Sequence, residues 1–290
     1  MDNLNKTIKL IECPRDAMQG WERIIPTLKK AEYLNALMEV GFDSLDFGSF
    51  VSAKAIPQMA DTGEVLGNLN KVSSGTRLLA IVANTRGAAE ACVYPEISDI
   101  GFPFSVSETF QLRNANSSIE KSLQTVREIQ ELCILHSKRL VIYISMAFGN
   151  PYQDPWSEEL VQDWIHQMVE QKVGVISLAD TVGLATPDQV YSLTDFTISR
   201  FPDIETGVHL HSRREKSLEK LEAAFNAGCR RFDGALNGIG GCPMAGDELV
   251  GNMDSLLLID FFRQKNLLPP LNEEALQKSI ALSACIFLNH

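Results

Sequence analysis

The stretch TIKLIECPRD, residues 7–16, decides between two common arrangements of an α/β chain. An apolar run typical of a buried strand ends here in Cys13-Pro14-Arg15-Asp16. A doubly wound sheet that binds a dinucleotide would carry a glycine-rich GxGxxG turn at this point. A cysteine, a proline and a charged pair in its place favour a barrel, in which polar residues collect at the carboxyl ends of the strands.

Further apolar runs follow along the chain, separated by segments with helical spacing. The eight candidate strands cover residues 7–13, 44–48, 77–83, 97–104, 139–148, 173–180, 205–211 and 230–236. The clearest helical patterns cover 26–40, 118–136, 157–171, 187–200 and 216–227, with a weaker one at 86–92. This alternation in 290 residues predicts an α/β fold, a (β/α)8 TIM barrel with a short C-terminal helical addition. No change of composition marks a boundary, so we expect one domain over residues 1–290.

Composition excludes several classes of protein. With 45% hydrophobic and 22% charged residues, the chain is neither disordered nor fibrous. Its formal charge of -11 argues against nucleic acid as a partner and against an anionic membrane surface. The longest apolar runs, 140–148 and 280–288, are too short to span a bilayer, and no signal or transit peptide is evident. We therefore expect a cytoplasmic protein whose six cysteines are reduced.

The seventh candidate strand ends in a pair of histidines, His209 and His211. Residues two apart on a strand face the same side, so the two imidazoles can share one ion. Asp16 is the natural third ligand, because its strand borders the eighth, which borders the seventh in a closed barrel. Two histidines and a carboxylate predict a divalent cation, Mg²⁺ or Mn²⁺, with Zn²⁺, Co²⁺ and Fe²⁺ as alternatives. The competing interpretation is a hydrogen-bonded histidine pair without an ion.

Three further polar residues follow candidate strands. Asp46 and Asp180 stand at the ends of the second and sixth strands, where each could add a carboxylate to the site or cap the next helix. Cys242 lies in the glycine-rich segment 237–247 after the eighth strand. A cysteine in such a loop is a candidate acid/base or nucleophile, although glycine-rich loops are more often linkers or phosphate cradles.

Taken together, these motifs resemble the hydroxymethylglutaryl-CoA lyases, metal-dependent barrel enzymes related to isopropylmalate and homocitrate synthases. The matching stretches include Pro14-Arg15-Asp16 with Gln19, Ser49-Phe50-Val51-Ser52, Ser105-Val106-Ser107-Glu108, the His209/His211 pair, Gly240-Gly241-Cys242-Pro243 and Gly251-Asn252. The glycine–cysteine loop is the most specific of them, because it resembles the lyase signature and is not expected in the synthases.

The resemblance implies retro-Claisen cleavage of 3-hydroxy-3-methylglutaryl-CoA, or of a related 3-hydroxyacyl-CoA, into acetyl-CoA and acetoacetate, as in leucine degradation and ketone-body formation. It assigns the divalent cation to Asp16, His209, His211 and Asn252. It implies that Arg15 stabilises the enolate and that Cys242 acts as acid/base. Its remaining assignments are catalytic roles for Asp46 and Asp180, substrate contacts for Arg15, Gln19 and Ser49, and a homodimer.

The chain departs from the lyase pattern at Ala17, Gly20 and Trp21, and Asp46 replaces a glutamate of the family. We expect Trp21 to reshape the wall of the substrate pocket. The alternatives are an aldolase or Claisen enzyme acting on another acyl-CoA or a 2-oxo acid, and a barrel that has lost the reaction and binds a metabolite or a protein.

Overall fold

Eight parallel strands form a closed barrel in the chain order β1 to β8. The structure is a computed structural model that describes residues 7–70, 75–241 and 250–287. The strands are β1 (Lys9–Glu12), β2 (Ser44–Ser49), β3 (Arg77–Ile81), β4 (Ile97–Ser105), β5 (Arg139–Ser145), β6 (Val175–Asp180), β7 (Glu205–Leu210) and β8 (Arg231–Gly234). Pairing of β1 with β8, with Lys9 opposite Arg231, closes the sheet. The predicted (β/α)8 barrel is confirmed.

Helices surround the barrel and extend past its last strand. They are α1 (Pro14–Gln19), α2 (Thr27–Val40), α3 (Thr62–Gly67), α4 (Thr85–Cys92), α5 (Glu108–Ala115), α6 (Ile119–Leu135), α7 (Glu158–Glu170), α8 (Pro187–Arg200), α9 (Arg214–Asn226), α10 (Ser255–Gln264) and α11 (Glu273–Phe287). The sequence did not predict α1, α3 and α5, which have six to eight residues each. The helices α10 and α11 form the expected C-terminal addition. The extent of a single domain over residues 1–290 stays a prediction.

Local sequence signals account for several helix ends. Thr186 accepts a hydrogen bond from Gln189 N and the Gln189 side chain accepts one from Thr186 N, so the two form a capping box before Pro187. At the other end of a helix, Gly41 closes α2 with φ +92°, a conformation that only glycine adopts readily. These signals explain why the boundaries of α2 and α8 lie within one residue of the predicted ones.

An ion-pair network closes the amino end of the barrel. Five strands begin with a charged residue: Lys9, Arg77, Arg139, Glu205 and Arg231. Asp99 of β4 pairs with Arg77 and with Arg139, and Glu205 pairs with Lys9 at 2.6 Å, with Arg139 at 3.1 Å and with Arg231 at 3.3 Å. Because the charges at this end satisfy one another, a ligand site is left to the opposite, carboxyl end of the strands.

Side chains alternate between the barrel interior and the surrounding helices. A small interior cluster consists of Leu79, Ile81, Val141, Tyr143 and Val175. The sheet separates this cluster from the larger core between strands and helices. Within the described ranges, no helix has both the length and the apolar character that crossing a membrane requires.

Candidate active site

The short helix α1 carries a cation and a carboxylate over the mouth of the barrel. It begins at Pro14, whose fixed φ suits the first helical position, directly after β1. Arg15 and Asp16 follow, and both side chains are buried. Arginine and aspartate are normally exposed, so the buried charges of Arg15 and Asp16 each need a partner.

His209 and His211 point their Nε2 atoms toward the same place. The two Nε2 atoms are 3.2 Å apart. His211 Nδ1 lies 3.0 Å from the carbonyl oxygen of Thr181. The two imidazoles therefore lie on the same side of the chain, as their spacing at the end of the seventh candidate strand predicted.

Asp16 completes a three-residue group with the histidines. One carboxylate oxygen of Asp16 and one ring nitrogen of each histidine lie within 4.8 Å of one another. Ligand atoms around one cation at metal–ligand distances near 2.1 Å lie about 3 Å apart, so the 3.2 Å between the Nε2 atoms fits a shared ion. Two imidazoles and a carboxylate leave coordination positions for substrate oxygens.

Asn252 reaches this group from beyond the eighth strand. Residues His211 and Asn252 form an isolated antiparallel bridge, which fixes the amide next to Asp16. Asn252 Nδ2 donates to Asp16 Oδ2 at 2.7 Å and to the carbonyl oxygen of Ile239 at 2.9 Å. Asn252 thus lies beside Asp16, with its amide nitrogen toward that carboxylate, and its assignment as a ligand of the cation stays a prediction.

Gly240 packs directly against the pair formed by Asp16 and Asn252. A Cβ atom at this position would lie 2.4 Å from Asn252 Nδ2 and 3.0 Å from Asp16 Oδ2. Its φ of +114° also favours glycine. The sequence therefore needs glycine here for two independent reasons, close approach and backbone conformation.

Burial and neighbouring charges shift the pKa values of Asp16, His209 and His211. Burial opposes ionisation of Asp16, yet Arg15 and the two histidines lower its pKa to about 2. Burial and the neighbouring His209 lower the pKa of His211 to about 4. Burial likewise disfavours the charged form of His209, but Asp233 and Asp16 raise its pKa above the usual value. At neutral pH Asp16 is ionised and His211 is a neutral imidazole, the forms that bind metals.

Arg15 is held by three neighbours. Its Nε and Nη2 donate to Asp46, the latter at 2.6 Å to Oδ2. Its Nη1 donates to Gln19 Oε1 at 2.7 Å and to Asp16 Oδ1 at 3.2 Å. Although Arg15 offsets part of the effect, burial raises the pKa of Asp46 to about 6. The fork-shaped contact to Asp46 fixes the plane of the guanidinium at the cavity wall.

These groups open into a cavity of about 230 Å³ at the carboxyl end of the strands. One wall is polar and consists of Arg15, Asp16, Gln19, Asp46, His209 and His211. The remaining lining residues are mainly apolar and include Val51, Ile56, Ile81, Val82, Pro103, Phe110 and Tyr143. A polar reaction centre beside an apolar wall is typical of a small-molecule site.

Comparison with known proteins identifies the family of this chain. The model of the HMGL-like family matches residues 8–278. The chain belongs to the HMGL-like family. It is a carbon–carbon lyase of the hydroxymethylglutaryl-CoA lyase group, as the sequence motifs implied.

Named relatives in the HMGL-like family cover most of the chain. The cytoplasmic 3-hydroxy-3-methylglutaryl-CoA lyase of Rattus norvegicus is 31% identical over 250 residues, which are 84% of this chain and 71% of the rat protein. The 3-hydroxy-3-isohexenylglutaryl-CoA/hydroxy-methylglutaryl-CoA lyase of Pseudomonas aeruginosa is 31% identical over 256 residues, 87% of this chain and 84% of that protein.

Solved structures support the same assignment. The hydroxymethylglutaryl-CoA lyase from Pseudomonas aeruginosa has a TM-score of 0.90 at 27% identity, covering 99% of this chain and 95% of that one. An HMG-CoA lyase from Acinetobacter baumannii, solved in complex with coenzyme A and 3-methylmalate, has a TM-score of 0.88 at 28% identity, covering 97% of this chain and 91% of that one.

Two residues assigned to the site by resemblance lie elsewhere. Asp180 points away from the cavity, and its Oδ2 accepts a hydrogen bond from Lys220 Nζ at 2.6 Å. Both of its oxygens also accept from Ala185 N, so its carboxylate caps the loop after β6. Ser49 is not among the lining residues in the described part of the chain, and its hydroxyl accepts from Val51 N at 3.2 Å.

Trp21 was expected in the pocket wall, but its ring packs edge-on against Phe287 of α11 at 5.2 Å, and the cavity lining found among the described residues omits it. Cys242 lies outside the described residues.

Sequence reasoning missed several residues around the histidines. Asp233 lies 3.3 Å from His209, Thr181 contacts His211, and Tyr143 packs edge-on against His209 at 5.7 Å. Only for Asp233 was there a signal: it is a lone carboxylate in an otherwise apolar strand end. Its partner is 24 residues away along the chain, so the pairing depends on the strand register.

Proposed function

We propose that this chain cleaves 3-hydroxy-3-methylglutaryl-CoA to acetyl-CoA and acetoacetate with the help of a bound divalent cation. One observation carries the proposal: Asp16, His209 and His211 converge beside Arg15 in a cavity at the carboxyl end of the barrel. The names of the Rattus norvegicus and Pseudomonas aeruginosa relatives and the coenzyme A complex of the Acinetobacter baumannii lyase support an acyl-CoA substrate.

Asp16, His209 and His211 would hold the cation, with Asn252 as a fourth residue. This donor set suits Mg²⁺ or Mn²⁺ and also accepts Zn²⁺ or Co²⁺. When bound, the cation supplies Lewis-acid polarisation of the substrate hydroxyl and of a carbonyl or carboxylate oxygen. Asn252 also holds Asp16 in place through its amide nitrogen.

Arg15 is proposed to stabilise the enolate that forms on the thioester side when the C2–C3 bond breaks. Its guanidinium lies in the cavity wall, and Asp46 and Gln19 fix its orientation before substrate arrives. A preorganised cation of this kind favours the transition state because it needs no rearrangement as charge develops. Asp46, with a pKa of about 6, is able to accept a proton near neutral pH.

Cys242 is proposed as the acid/base that exchanges protons with the substrate. The proposal is supported by the sequence, because Cys242 follows Gly240 and Gly241 directly, and Gly240 packs against Asp16. For Asp180 and Ser49, the contacts favour structural roles in the loops after β6 and β2.

The direct test incubates the purified protein with Mn²⁺ and 3-hydroxy-3-methylglutaryl-CoA and follows both products. We expect equimolar acetyl-CoA and acetoacetate. Cys242→Ala should keep metal binding while kcat falls by about 10²- to 10⁴-fold, since an acid/base is lost. His209→Ala should lose metal binding itself. Arg15→Lys should lower kcat by about 10²-fold, because a lysine cannot reproduce the two-pronged contact to Asp46.

A second candidate substrate carries a longer alkyl group at C3. The apolar wall formed by Ile81, Val82, Pro103 and Tyr143 favours it, and the Pseudomonas aeruginosa relative is named for such a compound. The same assay with 3-hydroxy-3-isohexenylglutaryl-CoA separates the two candidates by their kcat/KM. Metal binding without turnover of any acyl-CoA or 2-oxo acid would instead identify a barrel that only binds its ligand.

Homodimeric assembly and cytoplasmic localisation belong to the same proposal. The first rests on the family resemblance and the second on the expectation from the sequence. Light scattering coupled to size-exclusion chromatography measures the assembly, and a mass near 32 kDa would contradict the dimer.

A further inference from the structure

His209 has a carboxylate behind it. Its Nδ1, on the opposite side of the ring from Nε2, lies 3.3 Å from Asp233 Oδ2. The register of β7 and β8 pairs His209 with Asp233, so both side chains enter the barrel interior at the same level. The Asp233 side chain is fully buried, and its Oδ1 has no hydrogen-bond partner among the described residues.

Two further charged residues, Arg231 and Glu205, lie between this pair and the amino end of the barrel. Arg231, two residues earlier on β8 and facing the same side, has its Nε 3.9 Å from Asp233 Oδ1. Its Nη1 reaches Glu205 Oε1 at 3.3 Å in the network at the amino end. Room for the arginine comes from Gly207, where a Cβ atom would lie 2.7 Å from Arg231 Cδ. Arg231 therefore balances the charge of Asp233, which otherwise would be costly to bury.

The two histidines are supported from behind by acceptors. The carbonyl oxygen of Thr181 can only accept, so His211 must carry its proton on Nδ1. A carboxylate at His209 Nδ1 imposes the same tautomer there. With both protons on Nδ1, the two Nε2 lone pairs face each other at 3.2 Å, an arrangement that a cation stabilises.

We propose that Asp233 is a positioning residue, which holds the His209 ring and fixes the proton on Nδ1 so that Nε2 is free to bind the cation. The inference rests on the proposed metal dependence. The ring of Tyr143 packs edge-on against His209 and helps to hold the imidazole in position. The carboxylate of Asp233 additionally determines the tautomer. In this proposal Asp233 acts through His209 and is not itself a ligand of the cation.

The first experiment measures metal affinity. Metal-stripped wild-type protein and Asp233→Asn are titrated with Mn²⁺ by calorimetry. An asparagine keeps the shape but loses the charged acceptor, so we expect the dissociation constant to rise by about 10- to 100-fold. The matched control is Asp99→Asn, which also removes a buried carboxylate paired with arginines, here the half-buried Arg77 and Arg139, but lies in the network at the amino end. It should lower thermal stability and leave the dissociation constant unchanged.

The second experiment needs no variant. Proton–nitrogen correlation spectra of the histidine ring nitrogens in the wild-type protein, recorded with Mg²⁺ and without it, report which nitrogen carries the proton. We expect His209 to be protonated on Nδ1 in the Mg²⁺-loaded protein. A proton on Nε2 of His209 in the Mg²⁺-loaded protein would overturn the inference, and this result does not depend on whether Asp233→Asn folds. Equal Mn²⁺ affinities of wild type and folded Asp233→Asn would also overturn it.

Failure of the proposed function is distinguishable from failure of this inference. A protein that binds Mn²⁺, weakens on Asp233→Asn and yet cleaves no 3-hydroxyacyl-CoA would contradict the proposed reaction while supporting the role of Asp233. Cleavage of 3-hydroxy-3-methylglutaryl-CoA by the wild-type protein, together with an unchanged Mn²⁺ dissociation constant in Asp233→Asn, would support the proposed reaction and contradict the role of Asp233.

Discussion

Lys220 lies 2.6 Å from Asp180, and both side chains are buried between the carboxyl ends of β6 and β7 and the helix α9. The ammonium group also donates to the carbonyl oxygens of His211 at 3.1 Å and Gly183 at 3.2 Å. All three hydrogens of the ammonium group are thereby used, so this side chain ties the backbone of His211 to the loop after β6.

Replacing Lys220 by methionine should destabilise the protein. The variant leaves Asp180 buried without its counter-charge, which costs about 3–5 kcal/mol. Urea unfolding measures the loss. Adding Asp180→Asn removes the unpaired charge and should restore much of the stability, because asparagine still accepts from Ala185 N. A single variant within 1 kcal/mol of wild type would contradict this account.

Glu12 should make stability fall as pH rises. It accepts hydrogen bonds from Ser255 and from Leu236 N, but burial dominates and raises its pKa to about 8. The unfolded chain releases this proton near the ordinary pKa value of 4.5. Between about pH 4.5 and 8 the folded state therefore holds more protons, and its stability decreases by up to about 1.4 kcal/mol per pH unit.

Glu12→Gln isolates this effect. The amide cannot titrate, so its unfolding free energy relative to wild type should increase steadily from pH 5 to pH 8. Glu32→Gln, at an exposed carboxylate paired with Lys29, is the control and should track wild type across the same range. Parallel pH profiles for Glu12→Gln and wild type would show that Glu12 is ionised in the folded protein.

The barrel and the convergence of His209 and His211 could be predicted because both depend on short periodicities. Apolar runs of strand length mark β1 to β8, and spacing by two places His209 and His211 on one face. Asp180 was misplaced because a residue at a strand end faces inward or outward according to register. Here Ala179 pairs with His209 and lines the cavity, so Asp180, one residue later, faces the helices.

Other features depended on contacts between distant segments. The helix α1 has six residues, too few for an apolar repeat, although it holds Arg15 and Asp16. Asp233 acts through a partner on the neighbouring strand, and Trp21 through Phe287 at the far end of the chain. Local sequence carries no information on such pairs.

Trp21 should stabilise the packing of α11 against the segment that follows α1. Trp21→Ala, Phe287→Ala and the double variant form a cycle in which we expect a coupling energy of about 0.5–1.5 kcal/mol, as for other aromatic pairs. Because the cavity lining formed by the described residues omits Trp21, Trp21→Ala should leave KM unchanged, whereas Phe110→Ala, in the cavity wall, should raise it. If the stability losses were additive and KM rose in Trp21→Ala, Trp21 would contact the substrate and not stabilise the packing of α11.

Gly240 should be essential for the metal group although it contributes no side chain. In Gly240→Ala the new Cβ would lie 2.4 Å from Asn252 Nδ2 and 3.0 Å from Asp16 Oδ2, so the loop or the two side chains must move. A displacement of about 1 Å at a catalytic group lowers activity by about 10²-fold, and we expect that loss in kcat together with a weaker Mn²⁺ affinity. Gly67→Ala on α3, where a Cβ atom meets nothing within 4 Å, is the control and should keep both values. Wild-type kcat and Mn²⁺ affinity in Gly240→Ala would mean that the loop accommodates a side chain, and that the packing of Gly240 against Asp16 and Asn252 is not needed for the reaction.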